Sequence, residues 1–187
     1  MPDVIVIAGP NGAGKSTLAP YLLRDRFGIL EFVNADTIAQ GLSAFSPESA
    51  ALDGGRVMLS RLAELAGERA DFAFETTLAT RSYVRWLAEL RGVGYRIHLV
   101  FIWLPSADFA MERVAQRVRA GGHNIPEDLI RRRYERGLDN LFRLYLPVTD
   151  SWQVYDGSGD VPELIAFGDK VGNTGVVDEQ RWKEIER

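Results

Sequence analysis

The chain has 187 residues, with 26 acidic and 22 basic residues and a formal net charge of −4. This length fits one domain, and 46% hydrophobic with 26% charged residues is the composition of a globular rather than a disordered or fibrous protein. The chain has no Cys, which excludes disulfides and thiolate metal sites. The net acidity argues against a general nucleic-acid binder, so no nucleic-acid partner is expected. Only three of the 22 basic residues are Lys, and the other 19 are Arg.

The apolar runs are all shorter than the roughly 20 residues that a membrane-spanning helix needs. The N-terminal sequence MPDVIVIAGP lacks the basic region and the small-residue cleavage site of a secretory signal. We therefore expect a cytoplasmic protein that has no membrane partner.

Short apolar runs alternate along the chain with amphipathic segments, a pattern typical of strands alternating with helices. In chain order the pattern predicts strand 4–8, helix 15–25, strand 30–34, helix 46–69, strand 71–74, helix 82–90, strand 96–104, helix 106–119, helix 126–145, strand 153–155 and helix 161–167. Such alternation implies parallel strands with crossover helices, and hence a three-layer α/β sandwich. Residues 1–168 form the expected domain, and 169–187 a polar tail with a short helix from about residue 178.

A glycine-rich segment lies between the first strand and the first helix and fits the phosphate-loop pattern GxxxxGK[ST]. Glycines let backbone N–H groups turn towards phosphate oxygens, and the start of the following helix favours anions. In this pattern the Lys reaches the β- and γ-phosphates and the Ser hydroxyl ligates Mg²⁺. The sequence therefore predicts a site for ATP and Mg²⁺ made by Gly9, Pro10, Asn11, Gly12, Ala13, Gly14, Lys15, Ser16 and Thr17.

The remaining sequence narrows the class of P-loop protein. No Asn-Lys-x-Asp segment for reading guanine is present, and Asp156-Gly-Ser-Gly159 follows the last predicted parallel strand, where it is interpreted as a turn rather than a GTPase motif. No LSGGQ-like signature of transport ATPases is present either. A small kinase is the leading hypothesis. The alternatives are a nucleotide-binding interaction module, and a small ATPase or polynucleotide kinase.

Two carboxylates follow predicted parallel strands, whose carboxyl ends meet at the ligand edge of the sheet. Asp36, in Asn34-Ala-Asp36, could orient an acceptor hydroxyl and take its proton, or it could simply cap the next helix. Glu75, followed by Thr76 and Thr77, could coordinate Mg²⁺ through water or bind a substrate hydroxyl, or lie in an exposed loop.

An arginine-rich segment predicts a small helical lid over about residues 113–133. Arg113 and Arg117 are four residues apart and share a helix face, Arg119 ends that helix, and Gly121-Gly122 supplies a hinge before His123. Planar, permanently charged guanidinium groups suit contacts with adenine and phosphates. For some of these arginines, notably Arg131–Arg133, the alternative is a solvated helix face.

Taken in order, these motifs resemble those of the zeta-toxin-like P-loop kinases, especially short bacterial members labelled as predicted ABC-type ATPases. The resemblance runs from about residue 3 to 168 and rests on the segments GPNGAGKST, Asn34-Ala-Asp36, Phe74-Glu-Thr-Thr-Leu78, Arg113-Val with Arg117-Val, Gly121-Gly-His123-Asn-Ile-Pro126, Arg133-Tyr134 and Val154-Tyr155-Asp156.

The resemblance implies an ATP/Mg²⁺-dependent phosphotransferase with an adenylate-kinase-like core, a five-stranded parallel sheet and the strand order 2-3-1-4-5. It implies that Asp36 is the catalytic base, that Glu75, Thr77 and His123 lie at the substrate site, and that Arg113 or Arg117 neutralises the transferring phosphate. In the toxins the acceptor is UDP-N-acetylglucosamine and an antitoxin blocks the nucleotide site, so a nucleotide-sugar substrate and an antitoxin partner are implied as well. His123 stands where the toxins carry a second lid arginine.

Overall fold

The strands of the protein form one sheet with a parallel core. The computed structural model describes residues 1–186, without the side chains of residues 25–27. Within residues 1–186 the sheet has seven strands in the order β2-β3-β1-β4-β5-β6-β7. The strands are β1 Asp3–Ala8, β2 Phe32–Val33, β3 Phe72–Thr76, β4 Arg96–Trp103, β5 Ser151–Asp156, β6 Glu163–Asp169 and β7 Thr174–Val176. The first five strands pair in parallel, which confirms the predicted core order 2-3-1-4-5.

The prediction of a helix over 161–167 is wrong, because this segment forms the antiparallel strand β6. A short apolar run can be either a helix or a strand, and its own sequence does not decide between them. The deciding factor is the edge of β5, whose N–H and C=O groups would otherwise lack partners. Strand β6 pairs with that edge from Ser151 to Asp156, and β7 pairs antiparallel with β6 in turn.

The helices follow the predicted order except for α2, which was not predicted, and two of them continue as π-helical segments. They are α1 Lys15–Pro20, α2 Ala35–Leu42, α3 Ala51–Gly67, α4 Ser82–Gly92, α5 Ala107–Arg119, α6 Glu127–Asn140 and α7 Glu179–Ile185, with π-helical segments at Tyr21–Phe27 and Leu141–Tyr145. Ser106, the first residue of the predicted helix 106–119, caps α5 by accepting the N–H of Phe109. Within residues 1–186 no helix is both long and apolar enough to cross a bilayer.

The helices cover both faces of the sheet and complete the three-layer sandwich. On one face, α3, α4 and the segment after α6 pack on alternate side chains of the central strands, including Val6, Phe74 and Phe101. On the other face, α1 and its continuation pack on Ile5 and Ile7. This alternation follows from the period-2 geometry of a strand buried on both sides.

The C-terminal residues after β6 are part of this packing. The indole ring of Trp182 in α7 stacks on Trp152 of β5, with ring centroids 5.6 Å apart and an interplanar angle of 9°. Phe142 meets the same indole edge-on at 5.6 Å. These aromatic contacts anchor α7 to the sheet.

Candidate functional site

The loop between β1 and α1 has the backbone conformation that its glycines permit. Gly9, Gly12 and Gly14 have φ angles of 142°, 82° and 80°, which L side chains rarely adopt. A Cβ at Gly9 would lie 2.3 Å from the carbonyl oxygen of Ile102, so the loop packs directly on β4. The N-terminus of α1, at Lys15, opens onto this loop, as an anion site requires.

Lys15 is folded into the loop. Its side chain is only 5% exposed, and its Nζ donates to the carbonyl oxygens of Gly9 and Pro10, both at 2.9 Å. Glu75 Oε1 lies 3.5 Å from the same nitrogen. Burial lowers the pKa of Lys15, while the negative charges of Glu75 and Asp36 act in the opposite direction. The ammonium group is therefore held among oxygens at the base of the loop.

Glu75 joins the ends of three elements. Its Oε2 accepts hydrogen bonds from Ser16 Oγ at 2.8 Å and from Asn34 Nδ2 at 2.7 Å. Ser16 starts α1, Asn34 follows β2, and Glu75 lies near the end of β3, so the sheet order itself brings these side chains together. The Ser16 hydroxyl and the Glu75 carboxylate are oxygen donors of the kind that Mg²⁺ prefers, and they fit the predicted magnesium site.

Asp36 lies at the same edge but has a different environment. The helix cap of α2 is Asn34, whose Oδ1 accepts the backbone N–H groups of Asp36 and Thr37 at 2.8 and 3.1 Å. Asp36 stands in the first turn of α2, so the expectation that it could be the cap is wrong. Its side chain lines the cavities beside Lys15 and is available to a bound molecule.

The predicted lid arginines face two different cavities. Arg113 donates to the carbonyl oxygen of Ser158 at 3.4 Å and lines a cavity of about 490 Å³ on the α1 side of the loop. Arg117 lines a second cavity of about 520 Å³ together with Ser16, Asp36 and His123, and it donates to the His123 carbonyl oxygen at 3.2 Å. Among the described residues, the buried Arg117 Nε has no hydrogen-bond partner.

The remaining predicted residues differ in whether they line one of these cavities. Thr77 lines an inner cavity of about 180 Å³ with Lys15, Asp36 and Glu75. Thr17 lines the cavity next to Arg113. Arg119 is exposed at the end of α5, outside the cavity linings described above, and its role stays a prediction.

The sequence reasoning missed Arg133, which it grouped with solvated arginines. Arg133 lines both the inner cavity and an adjoining cavity of about 240 Å³, and it donates to Asn11 Oδ1 in the phosphate loop at 3.4 Å. Burial lowers the pKa of its guanidinium, and the charge of Asp36 acts against this effect. In contrast, Arg131 pairs with Asp108 at the surface.

The packing of α6 explains the position of Arg133. A Cβ at Gly137 would lie 2.3 Å from the carbonyl oxygen of Thr77, so α6 approaches the loop after β3 closely. Asn140 Nδ2 donates to the Leu78 carbonyl oxygen at 2.7 Å. Gly137 and Asn140 are four and seven residues after Arg133 and share its helix face. The spacing of Gly137 and Asn140 after Arg133 was the signal in the sequence that Arg133 lies on the packed face of α6.

A phosphate loop before α1, a 2-3-1-4-5 parallel core and clustered carboxylates beside the loop define a P-loop nucleotide-binding protein of the kinase-like class. Residues 4–144 match the AAA domain family AAA_33, and the chain belongs to this family. It is also 28% identical over 130 residues to an uncharacterized protein of Haemophilus influenzae, covering 70% of this chain and 91% of that protein.

Solved structures share the fold at low sequence identity. A chain of the AvrRxo1-ORF1:AvrRxo1-ORF2 complex with sulphate ions is 15% identical, with a TM-score of 0.79 over 99% of this chain. This chain spans 63% of that one. The PezAT toxin-antitoxin system of Streptococcus pneumoniae contains a similar chain (TM-score 0.69, 18% identity, 96% of this chain and 76% of that one). A gluconokinase of Sinorhizobium meliloti 1021 matches with a TM-score of 0.54 and 18% identity, over 84% of this chain and 83% of that one.

Proposed function

We propose that the protein is an ATP- and Mg²⁺-dependent phosphotransferase that transfers the γ-phosphoryl group of ATP to a hydroxyl of a small acceptor. The observation that supports this most directly is the placement of Asp36. Its carboxylate and the Lys15 ammonium line one inner cavity, next to the Ser16–Glu75 pair. A kinase needs a carboxylate beside the terminal phosphate, whereas nucleotide binding alone does not.

Each residue at the site has a role that follows from its position. The backbone N–H groups of the loop from Asn11 to Thr17 and the Lys15 ammonium bind the β- and γ-phosphates. Ser16 and Glu75 would hold Mg²⁺, which supplies charge neutralisation at the phosphates when bound. The cavity lined by Arg117 also contains Ser16 and Asp36, so it would take the phosphate end of ATP. We assign the nucleoside end to the cavity lined by Arg113, which borders the phosphate loop but contains neither Asp36 nor Glu75. The unpartnered Arg117 Nε would find its acceptor in a phosphate oxygen.

The transfer step uses the Asp36 carboxylate as the base. The acceptor O–H bond breaks, its proton goes to Asp36, and the freed oxygen forms a bond to the γ-phosphorus. The bond between the γ-phosphorus and the β,γ-bridging oxygen breaks, and ADP leaves with that electron pair. Lys15 and Arg117 offset the charge that develops on the phosphoryl oxygens.

UDP-N-acetylglucosamine, the acceptor of the zeta toxins, is one candidate acceptor, and an antitoxin is the corresponding candidate partner. The similarity to chains of the PezAT toxin-antitoxin system and of the AvrRxo1-ORF1:ORF2 complex, which has also been crystallised with ATP, supports including both in a test. The similarity to a gluconokinase equally supports including single sugars and sugar acids.

The test is a transfer assay with ATP labelled in the γ-phosphate. The protein is incubated with Mg²⁺ and a panel containing UDP-sugars, sugars, sugar acids and a no-acceptor control, and Lys15→Ala serves as the blank. We expect label in at least one acceptor with the parent protein and none with Lys15→Ala. ATP binding without transfer to any acceptor, or to any component of a bacterial small-molecule extract, would favour the nucleotide-dependent interaction module instead.

A further inference from the structure

A polar inner cavity borders the phosphate loop and extends from Lys15, Asp36 and Glu75 to the residues after β3. Its volume is about 180 Å³, and its lining away from Lys15 includes Thr77, Thr80 and Tyr83, with Met58 beside Tyr83. The cavity is smaller than the roughly 300 Å³ at which sites for drug-sized ligands begin. With the γ-phosphate at Lys15, the rest of this cavity and the adjoining cavity of about 240 Å³ leave room for one sugar-sized molecule that has several hydroxyl groups.

Arg133 and Asp36 both line this cavity and the adjoining 240 Å³ cavity. Among the side chains that the structure describes, Arg133 has no carboxylate within ion-pairing distance, and its hydrogen bond to Asn11 is long at 3.4 Å. A half-buried guanidinium without an anion is costly, because it has lost water without gaining a counter-charge. A planar fork of donors facing a cavity is suited to a carboxylate or a phosphate group.

From this juxtaposition we infer that the acceptor is a small polyhydroxy compound with one anionic group, which Arg133 binds while Asp36 receives the proton of the reacting hydroxyl. This inference rests on the proposed phosphotransferase function and specifies its substrate class. The threonine and tyrosine hydroxyls position the neutral part of the acceptor. Arg133 is thus a binding residue for the acceptor and not for ATP.

The first experiment identifies the class of acceptor. Compounds below about 1 kDa from a bacterial extract are separated by anion exchange into neutral and anionic fractions, and each fraction is assayed with γ-labelled ATP. We expect label in the anionic fraction. D-gluconate and D-glucitol are assayed as a matched pair of defined compounds that differ in the carboxylate. Phosphatase treatment of the fraction, with the enzyme removed before the assay, abolishes acceptor activity for a phosphate monoester and preserves it for a carboxylate. The diphosphate of a UDP-sugar is also anionic and resists phosphatase, so the purified UDP-sugars are assayed separately to distinguish them from a carboxylate acceptor.

Label only in the neutral fraction, or only in purified UDP-N-acetylglucosamine, would overturn the inference and leave the phosphotransferase function intact. The absence of label in every fraction would overturn both. The assay therefore distinguishes an error in the proposed acceptor class from an error in the proposed phosphotransferase function.

The second experiment assigns the anion to Arg133. Arg133→Gln is expected to raise the KM of the anionic acceptor by about 100-fold and to leave the KM of ATP unchanged, the loss typical of one buried charge-assisted contact. Arg133→Lys should recover part of this loss. The control is Arg132→Gln, since Arg132 is exposed on the same helix. A fall in ATP affinity or in kcat alone, with acceptor KM unchanged, would place Arg133 on the ATP phosphates and refute the assignment.

A second, independent inference concerns Arg181 in the C-terminal helix. Its Nε lies 2.9 Å from Asp156 Oδ2, and its Nη1 lies 2.8 Å from Glu163 Oε2. These two carboxylates stand immediately before and after the segment 157–162, which forms one wall of the 490 Å³ cavity on the α1 side of the phosphate loop. Arg181 therefore ties together both ends of that wall.

The contacts continue from this pair into the site. The other oxygen of Asp156 accepts the N–H of Ser158 at 2.8 Å, and the Ser158 carbonyl oxygen accepts the hydrogen bond from Arg113. The Asp156 side chain is only 4% exposed and that of Arg181 is 36% exposed, so solvent screens this pair less than a pair of fully exposed side chains. We propose that Arg181 is a positioning residue that shapes the pocket for the nucleoside end of ATP.

Binding of ATP and of inorganic tripolyphosphate, which lacks the nucleoside, tests this proposal by calorimetry on the whole chain. Arg181→Gln should weaken ATP binding by about tenfold, the effect of about one lost hydrogen-bonded contact, and leave tripolyphosphate binding unchanged. Arg181→Lys should restore part of the ATP affinity, and Lys183→Gln, an exposed change on the same helix, should have no effect. Equal losses for both ligands, or no loss for ATP, would overturn the proposal. Failure of the parent protein to bind either ligand would instead refute the ATP site itself.

Discussion

Glu75→Gln isolates the role of one negative charge at the centre of the site. Glutamine keeps the shape of the side chain but removes the charge that lies 3.5 Å from the buried Lys15 ammonium. At an effective dielectric constant of about 20, two unit charges at this distance attract each other by about 5 kcal/mol. Removing one partner of a buried pair typically costs about 3–5 kcal/mol. The carbonyl oxygens of Gly9 and Pro10 still accept from Lys15, so we expect a loss of about 3 kcal/mol in the free energy of unfolding.

The assay is denaturant and thermal unfolding at neutral pH without nucleotide, where this loss corresponds to a fall in Tm of about 6–12 °C. The control is Glu89→Gln, which removes an exposed carboxylate paired with Arg85 at 2.9 Å and should cost less than about 0.5 kcal/mol. ATP brings new negative charges to Lys15, so ATP should raise the Tm of Glu75→Gln more than that of the parent protein. A variant as stable as the parent, with the same response to ATP, would refute the electrostatic account of this cluster.

Three further outcomes follow from the structure. Gly9→Ala places a Cβ 2.3 Å from a carbonyl oxygen of β4 at a φ of 142°, so ATP binding measured by calorimetry should be lost. Arg117→Gln should lower kcat in the transfer assay by about 10²–10³-fold, whereas Arg131→Gln, at an exposed surface pair, should change it by less than about twofold. Burial acts to raise the pKa of Asp150, but hydrogen bonds from Lys170 and from the backbone outweigh burial and hold it below the ordinary value of 3.8. The stability that the Asp150 carboxylate contributes is present above pH 3.8 and is lost as the pH falls through its lower pKa in the folded protein. The free energy of unfolding, measured from pH 5 to about pH 2, should therefore fall less steeply for Asp150→Asn than for the parent protein.

The sequence predicted those parts of the site that depend on local chemistry. The glycine spacing around Lys15 specifies a backbone conformation that few other residues can adopt, and the structure has the corresponding φ angles. The polar residues at the carboxyl ends of β2 and β3 could be placed at one edge because parallel strands end on the same side of the sheet. The hydrogen bonds of Glu75 to Ser16 and Asn34 follow from that arrangement.

The missed features depend on contacts between distant parts of the chain. Arg133 has two arginine neighbours, and only the close approach of Gly137 to Thr77 turns its helix face towards the phosphate loop. The segment at 163–169 becomes a strand because the edge of β5 lies next to it, which its own residue pattern does not show. For the same reason the C-terminal residues looked like a tail, although Trp182 packs on the sheet.

The central claim is that Asp36 takes the proton of an acceptor hydroxyl while the phosphate loop holds ATP. Its most direct test is Asp36→Asn, with ATP affinity measured by calorimetry and label transfer measured on the acceptor found with the parent protein. We expect an ATP Kd within about twofold of the parent and a transfer rate lower by at least about 10³-fold, because a positioned base contributes roughly 10²–10⁴-fold and its loss also removes the orientation of the hydroxyl. Transfer by Asp36→Asn at the rate of the parent protein would contradict the claim.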